Sequence, residues 1–481
     1  MNPAALPAVT GQQTVTGAMQ FTDVMELRKA LEAGYGTDVA TLTGGGALRI
    51  QSLEKTMLAT IQENKHFALF NALAKANATA TVDEWTEQSS VGGFPGGSTN
   101  TETGNISQAV GEYQRRVGMV KYLMTRREVS FVQTLQNAIV ESEATEASNG
   151  ALQLLSDAEY LSFEGDSTVV PTEFDGIDAL ITGLGSGDHV IDVEGGSLSS
   201  IHLVNQAART IAGYGNFGTP THLFMSQTTQ ADFDNNLDPA FRVPLTDLPG
   251  GGIQIGAPVV GIRTSWGNIK NVPDVFVRDE LQQLPFQVMF PSVAAANTFA
   301  PATVTPDASV TDVTSKWGTP HAGNYYWGVA GVNNAGQSAV VLTGQIAVAA
   351  GKKVSLTIAA SVTGAETGYA IYRGRLNGTN ALTDLRFVCR IARTGASTVF
   401  VDYNRLLPGT AKAYMLNMTS GQLAITWRSL LPMLKFPLYP TVSAVVPWAQ
   451  LMFGYLRIGK RKHHVVFKNI VPAGQLWKPF L

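Results

Sequence analysis

The chain has 481 residues, a formal net charge of −3 from 34 Lys and Arg against 37 Asp and Glu, and 15% charged residues beside 44% hydrophobic ones. That length predicts about two to four core units rather than one, and a balance this close to neutral disfavours a generally basic nucleic-acid binder. The single cysteine, Cys389, excludes an intrachain disulfide and a multi-cysteine metal site, while a charge content below the roughly 25% usual for soluble domains predicts a surface covered by partners, as in an obligate oligomer.

Met1 to Thr10 has neither the basic start nor the apolar run of a signal peptide, and no apolar run reaches the ~18 residues that cross a bilayer. The chain reads as built for a reducing interior. Residues 1–20 are small and polar and predict an arm with little to pack. Residues 22–34 predict a short helix capped by Thr22 and Asp23 and stopped at Gly34. Leu53, Met57, Ile61, Phe67, Leu69 and Phe70 extend a helical spacing over 47–76.

Thr79 to Trp85 alternates as a strand does, a Gly/Ser/Thr stretch follows from Ser89 to Asn105, and Tyr113 to Leu123 resumes strand character. Residues 78–130 therefore predict a long two-stranded arm with a glycine-rich tip around Phe94. A lone hairpin is marginal in water, so this one is expected to lie on a neighbouring subunit. Residues 131–164 predict the longest helix, with Asn149-Gly150 as the place for a kink. Leu198 to Gly213 predicts a helix, Thr221 to Ser226 a buried strand, Thr228 to Leu237 a short helix, and Val259 to Arg263 and Val275 to Arg278 short strands. Residues 301–306 read as a linker. From there to about Arg405 runs an all-β pattern, with Tyr325-Tyr326-Trp327-Gly328-Val329, Asn333 to Ser338 and Gly368 to Gly374 as its signature. This predicts a sandwich module inserted between Pro306 and Pro408. Residues 411–470 return to mixed texture, with an apolar run from Ala444 to Leu456, a basic run from Lys460 to His464 and a last strand from Val465 to Ile470.

Motifs for chemistry are sparse. There is no GxxxxGK[ST], no HExxH and no GxSxG, and Gly183 to Asp188 reads as a loop. His463 and His464 are adjacent, a poor spacing for one metal on a strand, and read as solvated or interface residues. Cys389 reads as a small core or half-buried residue. Glu141, Glu143 and Glu146 read as a solvated helix face, with cation binding as the sharper alternative. Arg115-Arg116, Arg126-Arg127 and Lys460-Arg461-Lys462 are compact basic clusters. They are suited to carboxylates on a neighbouring subunit, with ordinary solvated charge and nucleic-acid contact as the alternatives. No catalytic residue, metal site or cofactor is expected.

The order of parts resembles the major capsid proteins of tailed bacteriophages with the HK97-like fold, more narrowly those of large contractile-tailed phages that carry an inserted immunoglobulin-like domain. The stretches that carry the resemblance are Gly46 to Arg49, Phe163 to Ser167 with Glu173 to Ile177, Leu203 to Ala208 with Tyr214-Gly215 and Gly218 to Thr221, and Leu430 to Leu438. Its layout covers nearly the whole chain, although each motif is short.

The resemblance implies an α+β fold divided into an N-terminal arm and helix (1–77), an extended hairpin loop (78–130), a peripheral domain with spine helix (131–177), an axial domain (178–306), an inserted all-β immunoglobulin or fibronectin-like sandwich (307–408) and a return to the axial and peripheral domains (409–481). It implies a structural role without enzymatic activity: a shell of hexamers and pentamers enclosing double-stranded DNA without sequence-specific contact. Portal, scaffold and decoration proteins would be partners, with assembly in the host cytoplasm and residence in the virion. Trp85, Phe94, Arg115, Arg116, Arg126, Arg127, Glu141, Glu143, Glu146, Lys460, Arg461 and Lys462 would lie at subunit contacts. The founding member's crosslink joins a lysine on the extended loop to an asparagine of another subunit, but Ser89 to Arg116 contains no lysine here, so noncovalent contacts are expected. Two rival readings are a cell-surface or carbohydrate-binding protein with an accessory sandwich, and a carbohydrate-active enzyme, which needs a paired-carboxylate cleft.

Overall fold

Alanine, glutamate and leucine dominate Ser142–Glu164, residues that lose little freedom in a helix, and in a computed structural model this stretch is one unbroken 23-residue helix. The structure describes residues 63–135, 141–185, 187–235, 259–280, 299–419, 421, 423–440 and 443–480. The predicted N-terminal arm, the helix at 22–34 and the start of the 47–76 pattern lie outside them. The chain divides into two compact units, one of residues 1–60 and 137–141, the other of 61–136 and 142–481; apart from Glu141, every described residue belongs to the second.

On the long helix Gly150, Leu154, Ala158 and Leu161 are buried at the three- and four-residue steps of one face. The expected kink at Asn149-Gly150 is not there. Instead the bare Cα of Gly150 admits Gln450, whose Nε2 donates to the Ala147 carbonyl at 2.7 Å. Phe131–Leu135 forms a separate short helix rather than the start of the long one.

Numbered along the chain, β1 (Ala74–Asn77), β4 (Lys121–Ser130), β20 (Ile425–Pro437) and β21 (Val445–Ile458) make a sheet in the order β1-β20-β21-β4. The helical pattern read up to residue 76 ends at Ala72, because Ala74 to Asn77 pairs in parallel with Thr426 to Ser429 and tertiary pairing overrides a local preference. Between this sheet and the long helix lies one core that includes Phe67, Phe70, Leu154, Phe163, Trp427 and Leu456.

β2 (Val82–Ser90) and β3 (Glu112–Met119) pair only with each other. The single strand expected over 113–123 is broken at Val120, which is buried and donates its N–H to the Thr81 carbonyl at 2.9 Å. Residues 121–130 therefore belong to the sheet and not to the arm.

A six-stranded mixed sheet has the order β5-β22-β19-β6-β8-β7, from β5 (Val190–Asp192), β6 (His222–Met225), β7 (Gly261–Thr264), β8 (Gly267–Pro273), β19 (Ala411–Leu416) and β22 (Val465–Ile470). The helices Ile201–Ala212 and Gln227–Asn235 join it around a second core that includes Val204, Ile211, Phe233, Met225 and Phe467. The strand predicted at 275–278 is instead a turn. The Asp274 carboxylate accepts the Phe276 N–H at 2.8 Å, a local bond that competes with strand pairing.

Between β8 and β19 lies the all-β segment. β9 (Thr303–Asp307), β15 (Val354–Ala359) and β18 (Ser397–Asp402) form one sheet; β11 (Trp327–Asn333), β12 (Gly336–Gln337), β13 (Val341–Leu342), β16 (Gly368–Gly374) and β17 (Leu385–Ala392) form another, and β10 (Gly323–Tyr325) pairs with β14 (Ile346–Val348). The two larger sheets share a core that includes Trp327, Val329, Leu356, Ile358, Tyr369 and Ile371. The expected linker 301–306 is mostly strand β9, in which Val304 reaches that core; its Pro306 is tolerated because β9 is an edge strand. Arg373, wholly buried, donates to Asp402 at 2.6 Å and to Asn404 at 2.8 Å, the partners a buried guanidinium needs.

The segment is no free-standing passenger. Val169 and Val170, just beyond the long helix, pack with Ala330, Val332, Tyr372, Leu385 and Phe387 in a further core, and any Cβ on Gly368 would run into Val169.

Candidate functional site

The arm is built by alternation. On β2, Asp83, Trp85, Glu87 and Ser89 face the body of the subunit, while Val82, Glu84, Thr86 and Gln88 face outward. Asp83 opposes Gly118 and Trp85 opposes Arg116 across the hairpin. Gly118 has no room for a side chain, because the Tyr455 ring lies against it.

That inward row meets a set of cations. Asp83 accepts from Arg428 Nε at 2.9 Å and from Tyr455 Oη at 2.6 Å, with Arg457 at 3.6 Å. Burial pushes the Asp83 pKa upward, but the hydrogen bonds from Tyr455 and Arg428 outweigh it and hold the carboxyl below its usual range. The Arg457 guanidinium lies 4.8 Å from the Trp85 ring centre, a cation–π contact. Glu87 pairs with Arg116 at 3.2 Å and with Arg461 at 3.6 Å, and Lys462 Nζ reaches the Ser89 carbonyl at 3.4 Å. Beyond Ser90 the tip stands clear. Phe94 is 74% exposed and Ile106 94% exposed, with Val91, Val110, Tyr113, Val117 and Met119 also exposed. A run of uncovered apolar side chains of this kind marks a binding surface.

The basic clusters named from sequence thus find carboxylates on their own chain. Arg115 pairs with Glu84, Arg126 with Glu128 at 2.7 Å, and Arg127 with Glu146 at 3.1 Å. Glu143 pairs with Lys435 at 2.6 Å, so neither Glu143 nor Glu146 is the merely solvated charge expected of that face. Glu141 is exposed ahead of the helix, and Lys460 lies at the start of the turn that carries Arg461 and Lys462. The reading of His463 and His464 as solvated or interface residues is corrected: both are buried, packed beside Asn417.

The sheet that carries the arm leaves one face bare at its far end. Leu434, Leu451 and Met124 are aligned across β20, β21 and β4, as are Phe436, Ala449 and Arg126, and Met124, Leu434 and Phe436 are exposed. Tyr122 packs edge-on against Phe453 at 4.9 Å between ring centres.

Sequence reasoning missed the buried ion network at the end of the long helix. Glu164, at the end of the long helix, accepts from Lys412 at 2.8 Å and from Arg278 at 2.5 Å; Lys412 also reaches Asp178 at 2.6 Å, and Lys468 reaches it at 2.8 Å. Desolvation raises the Asp178 pKa, but the Lys412 and Lys468 charges hold it far below the ordinary range. Arg390 of β17 grips Glu173 with two hydrogen bonds of 2.9 Å and donates to the Glu164 carbonyl at 2.6 Å, tying the all-β segment to the network. The anchors of the arm were missed too. Their one signal was the alternation that put Asp83 on the face of Trp85.

Among the described residues no group of three or more His, Cys, Asp and Glu is placed to hold a metal ion. Cavities of about 570 and 470 Å³ flank the network, the first lined by Tyr122, Tyr160, Glu173, Arg390 and the 332–337 turn, the second by Glu164, Asp178, Cys389 and Lys412. In their walls Glu164, Glu173 and Asp178 are paired with Arg278, Arg390, Lys412 and Lys468, while Asp166 and Asp175 accept backbone N–H groups of Thr168 and Ser167. Cys389 is partly buried, and desolvation pushes its thiol to about 12, far from a nucleophile's range.

An arm rooted by charge and tipped with uncovered apolar side chains thus lies beside a bare sheet face, and along nearly its whole length the chain is similar to major capsid proteins of phages. Over 474 residues it is 26% identical to the major capsid protein of Staphylococcus phage K, covering 94% of this chain and 96% of that one. The major capsid proteins of Staphylococcus phages S25-3 and S25-4 match with the same identity and coverage. No family model matches. Among solved structures, a chain of the native GTA particle capsid aligns with a TM-score of 0.46 at 11% identity, over 91% of this chain and 99% of that one. A chain of Mycobacterium phage Bobi aligns with a TM-score of 0.44 at 8% identity, over 89% and 97%.

Proposed function

We propose that the chain assembles into hexamers and pentamers that close an icosahedral head around double-stranded DNA, and that the arm at 82–119 lies over a neighbouring subunit. The observation that carries this reading is the exposed apolar row from Val91 to Met119 on an arm whose root is fixed by Asp83. Such a row costs solubility unless a partner covers it. Interfaces of this obligate kind bury thousands of Å2, and repeated weak contacts gain by avidity. Trp85, Phe94, Arg115, Arg116, Arg126, Arg127, Glu141, Glu143, Glu146, Lys460, Arg461 and Lys462 act at these contacts either directly, as Phe94 does, or by holding the arm at its angle, as Arg116 and Arg461 do.

With no lysine between Ser89 and Arg116, the contacts are noncovalent. A chain of net charge −3 gives a wall to which DNA does not stick, because strong phosphate binding needs many cations. Assembly takes place in the host cytoplasm, with portal, scaffold and decoration proteins as further partners and the virion as the final location.

The test is deletion of residues 90–110. The variant subunit is expected to stay folded and monodisperse while megadalton shells disappear from electron micrographs. Shells of normal size and yield from this variant would remove the arm from assembly, and a wild-type protein that stays a stable monomer would overturn the whole reading.

A further inference from the structure

Three histidines from two distant parts of the chain lie together under the root of the arm. His189, His463 and His464 are 2%, 8% and 0% exposed. His189 Nδ1 donates to the His464 carbonyl at 2.9 Å, which leaves Nε2 of the neutral ring to accept from Asn216 Nδ2 at 3.4 Å. His464 Nδ1 accepts the Asn417 backbone N–H at 3.3 Å, and His463 Nδ1 accepts from Asn417 Nδ2 at 3.1 Å. Each ring therefore spends on an N–H donor the one lone pair that would take up a proton. Protonation would set N–H against N–H at three places. The charged groups facing the cluster add little relief: Asp188 lies beside His189, but Lys462 faces the same ring and Lys460 faces His463.

The same turn holds the arm. Arg461–His463 is a single 3-10 turn closed by the His464 N–H on the Arg461 carbonyl at 3.3 Å. Arg461 pairs with Glu87 of the arm at 3.6 Å, and Lys462 reaches Ser89 at 3.4 Å. We infer that the turn 460–464 is an acid-sensitive latch on the arm, closed while the three histidines are neutral and opened when they take up protons.

Burial lowers the pKa of all three, that of His464 to about 3. A histidine depressed in this way contributes stability that is present above its unfolded pKa of about 6.5 and drains away as the pH falls below it. The carboxylate at the arm's root, Asp83, is itself held low by Tyr455 and Arg428 against the upward push of burial, so mild acid acts on the latch and leaves the root in place. The latch belongs to the single subunit and does not depend on how the shell is built.

Hydrogen exchange on the full-length chain at pH 7.5 and 5.0, corrected for intrinsic exchange, tests it. Residues 82–90 and 457–465 are expected to lose protection at least ten-fold at the lower pH, while β15 and β18 keep theirs. Unchanged protection over 82–90, or loss in β15 and β18 at the same step, would overturn the inference. In the double variant His463→Asn, His464→Asn the amide oxygens replace the accepting nitrogens without titrating, and protection over 82–90 is expected to be equal at both pH values. A folded double variant that still loses ten-fold would also overturn it, and if the double variant does not fold, the wild-type profile alone decides.

Discussion

Asp83 and Arg428 stand 345 positions apart in the chain and meet at 2.9 Å, joining the first strand of the arm to the long strand β20 of the sheet beneath. Both side chains are mostly buried, and the same carboxylate also serves Tyr455 and Arg457. Replacing Asp83 by alanine leaves two guanidinium groups and a phenol short of an acceptor. The expected cost is about 2 kcal/mol, the usual scale for losing hydrogen bonds to a charged group. Urea denaturation would read the cost, and hydrogen exchange over 82–90 would show the arm's root loosened while the all-β segment stays protected.

Arg390 offers a second test. Its two bonds to Glu173 and one to the Glu164 carbonyl lie in a partly buried seam, so Arg390→Ala strands Glu173 without its cation. The expected loss is about 3 kcal/mol, near the lower end for breaking a buried pair. Arg390→Lys is expected to recover little of it, since an ammonium cannot make the paired contact. A melting curve for each variant distinguishes these outcomes.

Glu159 gives a pH dependence of opposite sign to that of the histidines. Wholly buried, it accepts the N–H groups of Leu69 and Phe70 at 2.7 Å each. Burial, reinforced by Asp274, pushes its pKa from 4.5 up to about 9. A carboxyl raised in the folded state keeps a proton that the unfolded chain has lost. Its contribution is therefore full below about pH 4.5 and falls as the pH climbs towards 9. The variant Glu159→Gln stays neutral and can donate towards Asp274, at the cost of one of the two N–H bonds from Leu69 and Phe70, since its NH2 cannot accept. Thermal midpoints measured from pH 5 to 9 are expected to fall less steeply for it than for the wild type.

Phe94 and Ile106 separate folding from assembly. Both are exposed at the arm's tip, so Phe94→Ser with Ile106→Ser is expected to change subunit stability by no more than about 0.5 kcal/mol, the usual range for surface changes. If the tip seats on a neighbour, the same variant should give a several-fold drop in shell yield by sedimentation. Full yield would take these two side chains out of the contact.

What could be read from the sequence was what local periodicity encodes. Alternation around Trp85 and the glycines after Ser90 announced the arm, and the leucines and alanines of Ser142 to Glu164 announced the long helix. The misreadings fall where distant partners decide. Ala74 to Asn77 is a strand because β20 lies beside it, and the chain leaves the arm at Val120 because Thr81 is there to accept its N–H. Local spacing around His463 and His464 carries no sign of His189, Asn216 or Asn417. The basic clusters were legible as clusters, but which carboxylates they meet is a property of the fold: Glu87 is shared by Arg116 from its own hairpin and Arg461 from far along the chain.

The wedge of Val169 and Val170 gives the subunit two mechanically separate handles. A tug on the arm passes through Asp83 into β20 and β21 and on to the early turns of the long helix through Gln450. A push on the all-β segment enters instead beyond the end of that helix, through the two valines and the Arg390–Glu173 clasp. The two routes therefore reach the same 23-residue helix at different points along its length, one near Ala147 and Gly150 and the other beyond Glu164.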